Sequence, residues 1–298
     1  LVRLLVLTRE PRLYSIRRFQ EEARKQGHQV RTLDVLKTQL VLHARNPQLS
    51  ARGRPVRPGE VDVVLPRIGA SVTEAGCAVV NHLEMMGVPV VNNSQSILRA
   101  RDKLRSFQVL SRCNVDIPKT VVIRNVDDLD EALDLVGGVP CILKLLKGTH
   151  GVGVMLADSR GAIESILQTF WSLGQVILLQ EFIQESKGRD VRAFVVGDRV
   201  VGAMRREAKM GEFRSNIHRG GAGSPIELDA EAQLTVVEAA HAMGLQVAGV
   251  DYLESRDGPK ILEVNASPGF QGLEQATGAN VAGEVIRFAA EYGRRVRA

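Results

Sequence analysis

Apolar and polar positions change rhythm along the chain. Residues 3–7 (Arg-Leu-Leu-Val-Leu) form a short apolar run and predict a buried strand. The amphipathic stretch from Tyr14 to Lys25 predicts a helix closed by Gly27. Alternation from His28 to Leu33 predicts a second strand, 61–65 a third and 88–91 a fourth, with a helix near 72–86 before the last. Strands alternating with helices imply a parallel sheet with helices on its faces. This unit ends near residue 95. Within it, 44–59 mixes Pro and Gly with Arg45, Arg52, Arg54 and Arg57, which marks an exposed loop or hairpin, either solvated or turned toward an anionic partner.

Beyond residue 95 the rhythm is that of an α+β unit with hairpins. Asn93-Ser94 can cap a helix. A helix is expected over 102–112, then strands at 119–123, 141–146, 153–157 and 176–181, with helices at about 127–136 and 159–169. Longer strands follow at 190–196, 199–205, 247–254 and 260–264, with helices near 229–242 and 280–294. No internal repeat or low-complexity segment interrupts this order.

A chain of 298 residues with 44% apolar and 24% charged positions can bury a sizeable core, which excludes pervasive disorder. No apolar run reaches the ~20 residues of a membrane span. The absence of a signal-peptide layout makes the cytoplasm the expected compartment. The 39 Lys and Arg against 34 Asp and Glu leave a net +5, which favours anionic partners. Aromatics at 4% offer few stacking platforms, against a dedicated nucleic-acid binder. Cys77, Cys113 and Cys141 are far apart and fit neither a metal spacing nor a disulfide framework.

Four constellations carry chemistry. Glu263 and Asn265 end an apolar strand and share a face, and Asp251 ends another. A hairpin folded about Asp257 sets Asp251 opposite Glu263; such hard oxygens suit Mg²⁺ or Mn²⁺ bound to a nucleotide phosphate, or else form the polar face of a hairpin. Second, Lys144 sits inside an apolar strand, where it is costly without an anion, and Gly148, Gly151 and Gly153 allow backbone N–H groups to wrap phosphates. The bland alternative is a flexible hairpin loop. Third, Arg205, Arg206, Lys209, Arg214, His218 and Arg219 form a basic run that either clamps anions or is a solvated loop. Fourth, Gln180-Glu181-Phe182 leaves a strand through a polar pair and could meet a heterocycle, with Asp190 accepting ribose hydroxyls. Taken alone, this last group reads as an inter-domain hinge.

In this order the segments resemble the ATP-grasp superfamily, and within it the RimK-type α-L-glutamate ligases, which add glutamate to the C-terminus of a small-subunit ribosomal protein. The match is carried by Pro66-Arg67-Ile68-Gly69, Arg101-Asp102-Lys103, Lys144 with the 148–153 glycine loop, Gln180-Glu181-Phe182, the run from Phe213 to Gly221, Ala248 to Asp251, and Glu263 to Gly269. The resemblance implies an ATP-grasp fold: a parallel α/β pre-ATP-grasp domain over 1–95, a central lobe over 96–184 and a C-terminal lobe with the metal site over 185–298. It implies that Lys103, Lys144 and the glycine loop contact ATP phosphates, and that Glu181 and Phe182 meet adenine and Asp190 the ribose. Arg214, Ser215 and Asn216 would line the phosphate and acceptor site, with Arg214 and Arg219 as catalytic groups. Asp251, Glu263 and Asn265 would hold two Mg²⁺ or Mn²⁺ ions. The implied partners are ATP, L-glutamate and the C-terminal peptide of a ribosomal small-subunit protein, with no membrane and no nucleic acid required, in a homo-oligomer, a tetramer by resemblance.

The chemistry such a site supports is ligation through an acyl phosphate, because a carboxylate is a poor electrophile until phosphorylated. Two rivals stay open at this level. One is the same chemistry on free poly-α-glutamate or an amino-group carrier protein. The other is a nucleotide-gated protein that binds ribosomes or RNA without making a bond.

Overall fold

The computed structural model describes residues 1–146, 153–208 and 222–297. The chain begins with β1 (Arg3–Leu7), α1 (Tyr14–Lys25) and β2 (Gln29–Leu33), continues through β3 (Thr38–Val41), β4 (Gln48–Ala51) and β5 (Arg54–Val56), and reaches β6 (Val63–Pro66) and α2 (Thr73–Met85). β1 lies between β2 and β6, and both pairings are parallel. Helix α1 forms where expected because Ile16, Phe19 and Ala23 recur on one buried face, and Gly27 ends it with φ +71°. The expected fourth strand shrinks to one bridge, Val90 with Val64, because the chain turns away at Asn92. The stretch 44–59 is a hairpin, β4–β5, paired through β4 with β3. With the C-terminal ends of β1 and β2 it encloses a cleft of about 700 Å³ lined in part by Arg9, Arg31, Arg52 and Arg54.

Two helices lead out of this layer, α3 (Ser94–Arg101) and α4 (Lys103–Arg112). Asn93 caps α3 by accepting from the Ser96 N–H at 2.8 Å. Asp102 ends α3 and caps α4, accepting from the Arg105 N–H at 3.0 Å, so Arg101 and Lys103 flank one sharp corner. The next lobe comprises β7 (Thr120–Val122), α5 (Leu129–Leu135), β8 (Cys141–Leu145), β9 (Val154–Ala157), α6 (Arg160–Ser172) and β10 (Ile177–Glu181). Its sheet runs β7-β10-β8-β9, wholly antiparallel, over a core of its own that includes Leu129, Leu143, Ile163 and Leu179.

The last lobe holds β11 (Arg189–Val196), β12 (Arg199–Glu207), β13 (Ala222–Pro225), α7 (Ala230–Ala242), β14 (Val247–Ser255), β15 (Gly258–Asn265), α8 (Gln271–Thr277) and α9 (Val281–Arg297). Its antiparallel sheet has the order β13-β12-β11-β14-β15. One face, with Val191, Ala193 and Val250, shares a core with Val236 and Ala240 of α7 and with Ile97 and Leu110 of α3 and α4. The other face carries Phe194 and Met204 against Phe270, Leu273 and α9. That second core continues into Val2, Leu4, Phe19 and Val63, so α9 closes the first sheet as well as the last. The approach is close: a Cβ on Gly293 of α9 would stand 3.0 Å from the Asp62 carbonyl. Buried Asn92 joins the same two layers, donating to the carbonyls of Val247 (2.7 Å) and Ala266 (3.0 Å) and accepting from the N–H groups of Gln246 (2.7 Å) and Val247 (3.0 Å). Among the described residues, no helix is long and apolar enough to cross a membrane.

Candidate active site

The β14–β15 hairpin is built by its turn and by one irregularity. Ser255 pairs with Gly258, which takes φ +97° at the turn exit. The ladder then runs regularly to Tyr252 opposite Ile261, slips by one residue, and resumes with Asp251 opposite Glu263. Leu262 is the extra residue. Without that bulge Asp251 would face Leu262, and the two carboxylates would stand on opposite sides of the sheet. With it, Asp251 and Glu263 share the face that also carries Asn265, which pairs with Gly249.

Neighbouring strands place cations on that face. Asp251 accepts from Arg192 Nε at 2.7 Å and Nη2 at 2.6 Å, and Arg206 Nη2 lies 3.0 Å from its second oxygen. Arg206 also grips Asp190 through two bonds of 2.7 and 2.5 Å. The four groups alternate in charge across β11, β12 and β14, and the two guanidiniums hold the Asp251 carboxyl well below the usual carboxylate range despite its burial. Arg205 and Arg206 are therefore strand residues, not members of a solvated loop: Arg206 is buried in this network, and Arg205 pairs with Glu254 at 2.7 Å on the other face. Arg206, and Arg192 in its pairing with Asp251, were not singled out in sequence as partners of the carboxylates. Their signal was the Asp190/Arg192 alternation inside an otherwise apolar strand.

Glu263 is exposed and faces cations from three elements. Arg101 ends α3, Lys103 begins α4 and Lys144 lies in β8, and the charge of Glu263 supports the protonated form of each. Burial works against it. Lys144 is pushed down to about 8 by desolvation, aided by repulsion from Lys103, and its ammonium lies 5.8 Å from the Phe107 ring centroid. Lys103 is lowered by burial and reaches the Leu146 carbonyl at 3.4 Å. Lys103 and Lys144 against one carboxylate leave an excess of positive charge, which is the electrostatic requirement for a phosphate site.

Gly153 enters β9 with φ +79°, and a Cβ there would lie 2.7 Å from the Leu145 side chain, so this position demands glycine. At the end of β10, Glu181 donates its N–H to the Lys119 carbonyl (2.9 Å) and accepts from the Lys119 N–H through its carboxylate (3.1 Å). Its carbonyl and the half-buried Phe182 are what this corner can present to a heterocycle. Gly148, Gly151, Arg214, Ser215, Asn216 and Arg219 lie outside the described residues. Of the rest, Lys103, Lys144 and Glu263 are drawn together electrostatically, Asp251 and Asn265 share the face of Glu263, and Asp190 sits two rungs along it. Glu181 ends β10, an interior strand of the central lobe's sheet, and Phe182 follows it.

The donor set of Asp251, Glu263 and Asn265 is two carboxylates and an amide, hard oxygens that fit a divalent cation of the Mg²⁺ class. Among the described residues no three His, Cys, Asp or Glu side chains cluster to hold a metal ion by themselves.

Comparisons with known proteins match this architecture. Residues 2–97 match the RimK pre-ATP-grasp domain and 100–289 the RimK-like ATP-grasp domain. A probable alpha-L-glutamate ligase of Azotobacter vinelandii is 48% identical over 295 residues, covering 98% of this chain and 97% of that protein. One of Ectopseudomonas mendocina is 48% identical over 287 residues, covering 96% and 95%. Among solved structures, the ATP-grasp ligase PsnB complexed with its minimal precursor superposes with TM-score 0.78 at 21% identity, over 98% of this chain and 99% of that one. A RimK domain ATP-grasp protein of Sphaerobacter thermophilus gives 0.71 at 23% identity, over 97% and 99%. At those identities the structures speak for the fold.

Proposed function

The chain belongs to the RimK-like ATP-grasp family and is an ATP-dependent carboxylate–amine ligase, and from that premise we propose that it adds L-glutamate to the C-terminus of a small-subunit ribosomal protein. The observation that carries the glutamate assignment is 48% identity to probable alpha-L-glutamate ligases over nearly the whole chain. The site geometry supports the chemistry, because an excess of half-buried cations stands beside a paired-carboxylate hairpin.

In this reading the nucleotide lies between the central and C-terminal lobes. Lys103, Lys144 and the glycine loop ending at Gly153 hold its phosphates. The Glu181–Phe182 corner meets adenine. Asp190 spends two acceptor positions on Arg206 and keeps others for ribose hydroxyls. Asp251, Glu263 and Asn265 would hold the Mg²⁺ or Mn²⁺ ions, which when bound neutralise charge on the transferring phosphoryl group. An oxygen of the acceptor carboxylate attacks the γ-phosphorus of ATP, and ADP leaves. The amine of glutamate then attacks the acyl carbon, loses a proton, and inorganic phosphate departs. Arg214 and Arg219 are assigned to the charge that develops on phosphate and on the tetrahedral intermediate. Arg192 and Arg206 fix the Asp251 carboxylate in place. The separate core of the central lobe allows it to close as a body and exclude water, which would otherwise hydrolyse the acyl phosphate.

The test is mass spectrometry of a reaction containing ATP, Mg²⁺, glutamate and the ribosomal protein. A ladder of glutamate-sized additions on its C-terminal peptide is expected. ADP and phosphate released only with glutamate present, but no ladder, would keep the ligase chemistry and move the acceptor to free poly-α-glutamate or another protein. RNA binding with a steep salt dependence and no turnover would overturn the enzyme reading.

A further inference from the structure

Arg67 and Arg101 stand beside the proposed chemistry with no task in it. Arg67 follows β6 at the C-terminal edge of the parallel sheet, its own N–H donating to the Leu7 carbonyl at 2.9 Å. Ligands of open α/β sheets bind at that edge. Its Nη2 donates to the Pro268 carbonyl at 2.7 Å, three residues beyond Asn265, and its guanidinium lies 5.8 Å from the Phe19 ring centroid. Arg101 donates Nη2 to the Ile68 carbonyl at 2.7 Å, the residue after Arg67. Its Nε is buried with no hydrogen-bond partner. Among the described residues neither guanidinium has a carboxylate at ion-pair distance, and the two repel each other. Each fork has five N–H donors, and one bond to a carbonyl leaves most of them unspent.

Two partly buried, mutually repelling cations, with no carboxylate in contact among the described residues and Glu263 acting on Arg101 only at a distance, are costly unless an anion completes the site. The nucleotide phosphates are already met by Lys103 and Lys144 in the proposed reading. The acceptor carboxylate surrenders its own charge when it becomes an acyl phosphate. The incoming amino acid is different: glutamate keeps two carboxylates from binding through bond formation, and planar carboxylates match guanidinium forks. We infer that Arg67 and Arg101 bind the carboxylates of the incoming amino acid, L-glutamate in the reading above, on which this inference rests. The pair would place amino-acid selectivity where the pre-ATP-grasp layer, which holds Arg67, meets the end of α3, which holds Arg101, and explain why Arg67 reaches across to the loop that follows the metal motif.

The experiment is calorimetric titration of L-glutamate, and separately of L-glutamine, into the full chain saturated with Mg²⁺ and ADP. Wild type is compared with Arg67→Lys, Arg67→Gln, Arg101→Lys and Arg101→Gln, and ADP affinity is measured on each. The Gln variants are expected to weaken glutamate by ~10–100-fold, the Lys variants less, and to narrow the preference over glutamine. ADP affinity is expected to stay within about twofold, since the fold and nucleotide site persist. Unchanged glutamate affinity in folded variants overturns the inference, as does parallel loss of ADP and glutamate binding in all four, which marks a structural role. If wild type takes a different carboxylate-bearing amino acid and the same variants lose that one, the arginine site stands and the glutamate reading falls.

Discussion

Asp251 and Glu263 are cross-strand partners only because Leu262 bulges from β15 between them and the turn. One extra residue converts a hairpin that would hide one carboxylate into one that presents both. Asp251 is buried and clamped by Arg192 and Arg206, whereas Glu263 is exposed and opposed to Lys103 and Lys144. Glu263→Gln therefore tests function with little cost to the fold. It should reduce ATP-dependent ligation by ~100-fold or more, as removal of a group that stabilises transferring charge does, with thermal stability close to wild type. Wild-type turnover by this variant would remove Glu263 from the site.

Burial lowers Lys144 to about 8, so its charge is lost within the experimental range. Affinity for ADP should fall as pH rises through 8, and Lys144→Arg should flatten that dependence because arginine stays charged. The bound phosphates will themselves favour the ammonium and move the midpoint upward. Stability of the ligand-free protein runs the other way. Between about 8 and the ordinary lysine value of 10.5, the unfolded chain binds more protons than the folded one, so this group's contribution to stability improves as pH rises through that window. Nucleotide titrations and urea unfolding across pH 7 to 10 read both slopes, and parallel slopes in the wild type and in Lys144→Arg would exclude Lys144 as the origin.

Arg206 separates two buried carboxylates. Arg206→Ala leaves Asp190 without its guanidinium and Asp251 with Arg192 alone, and should destabilise the protein by ~3–5 kcal/mol in urea unfolding. Adding Asp190→Asn to that variant should recover part of the loss, because one of the uncompensated charges is then gone. No recovery would mean that the stranded charge is not the source of the cost.

Asn92 satisfies four backbone groups at the seam between the first and last sheets. Asn92→Ala strands buried donors and acceptors on both sides and should cost ~3 kcal/mol or more. Asn92→Asp should be as damaging, since it replaces two donors by a charge aimed at the Val247 and Ala266 carbonyls. A shift in melting temperature of the first and last units together, with the central lobe unfolding separately, would mark the seam; an unchanged melting temperature would show that the four bonds carry no net stability.

Gly153→Ala introduces a Cβ into Leu145 at a positive φ, a local strain of ~1–3 kcal/mol. Because Gly153 closes the predicted phosphate loop, ADP affinity should drop by more than the change in melting temperature alone would explain. Equal losses in Gly153→Ala and in a surface variant of the same stability would separate the loop from nucleotide binding.

Much of the fold was legible as pattern. The Tyr14–Lys25 helix and the Asn93 cap were local signals with local causes, and so was the alternation that marked strands near 190–196 and 247–254. The opposition of Asp251 and Glu263 was legible as well, although a turn centred on Asp257 is achieved by a two-residue turn plus a bulge. Strand 88–91 is cut to one parallel bridge with β6 because Asn92 finds its partners in β14 and beyond β15, outside any local window. Helix α8 and strand β13 lacked a long enough period to be seen.

The order of sequence elements determined which side chains could carry chemistry: a lysine inside an apolar strand, carboxylates closing apolar runs, and arginines beside glycine turns. Those signals survive in one dimension because they depend on alternation and on residue type. Only the tertiary structure decided which charges compensate one another. It paired Arg206 with two carboxylates from other strands, ran α9 back across the first sheet, and left Arg67 and Arg101 with no carboxylate at ion-pair distance among the described residues. Charge compensation is a matter of distance and burial, and neither exists until the strands have been ordered and the layers packed.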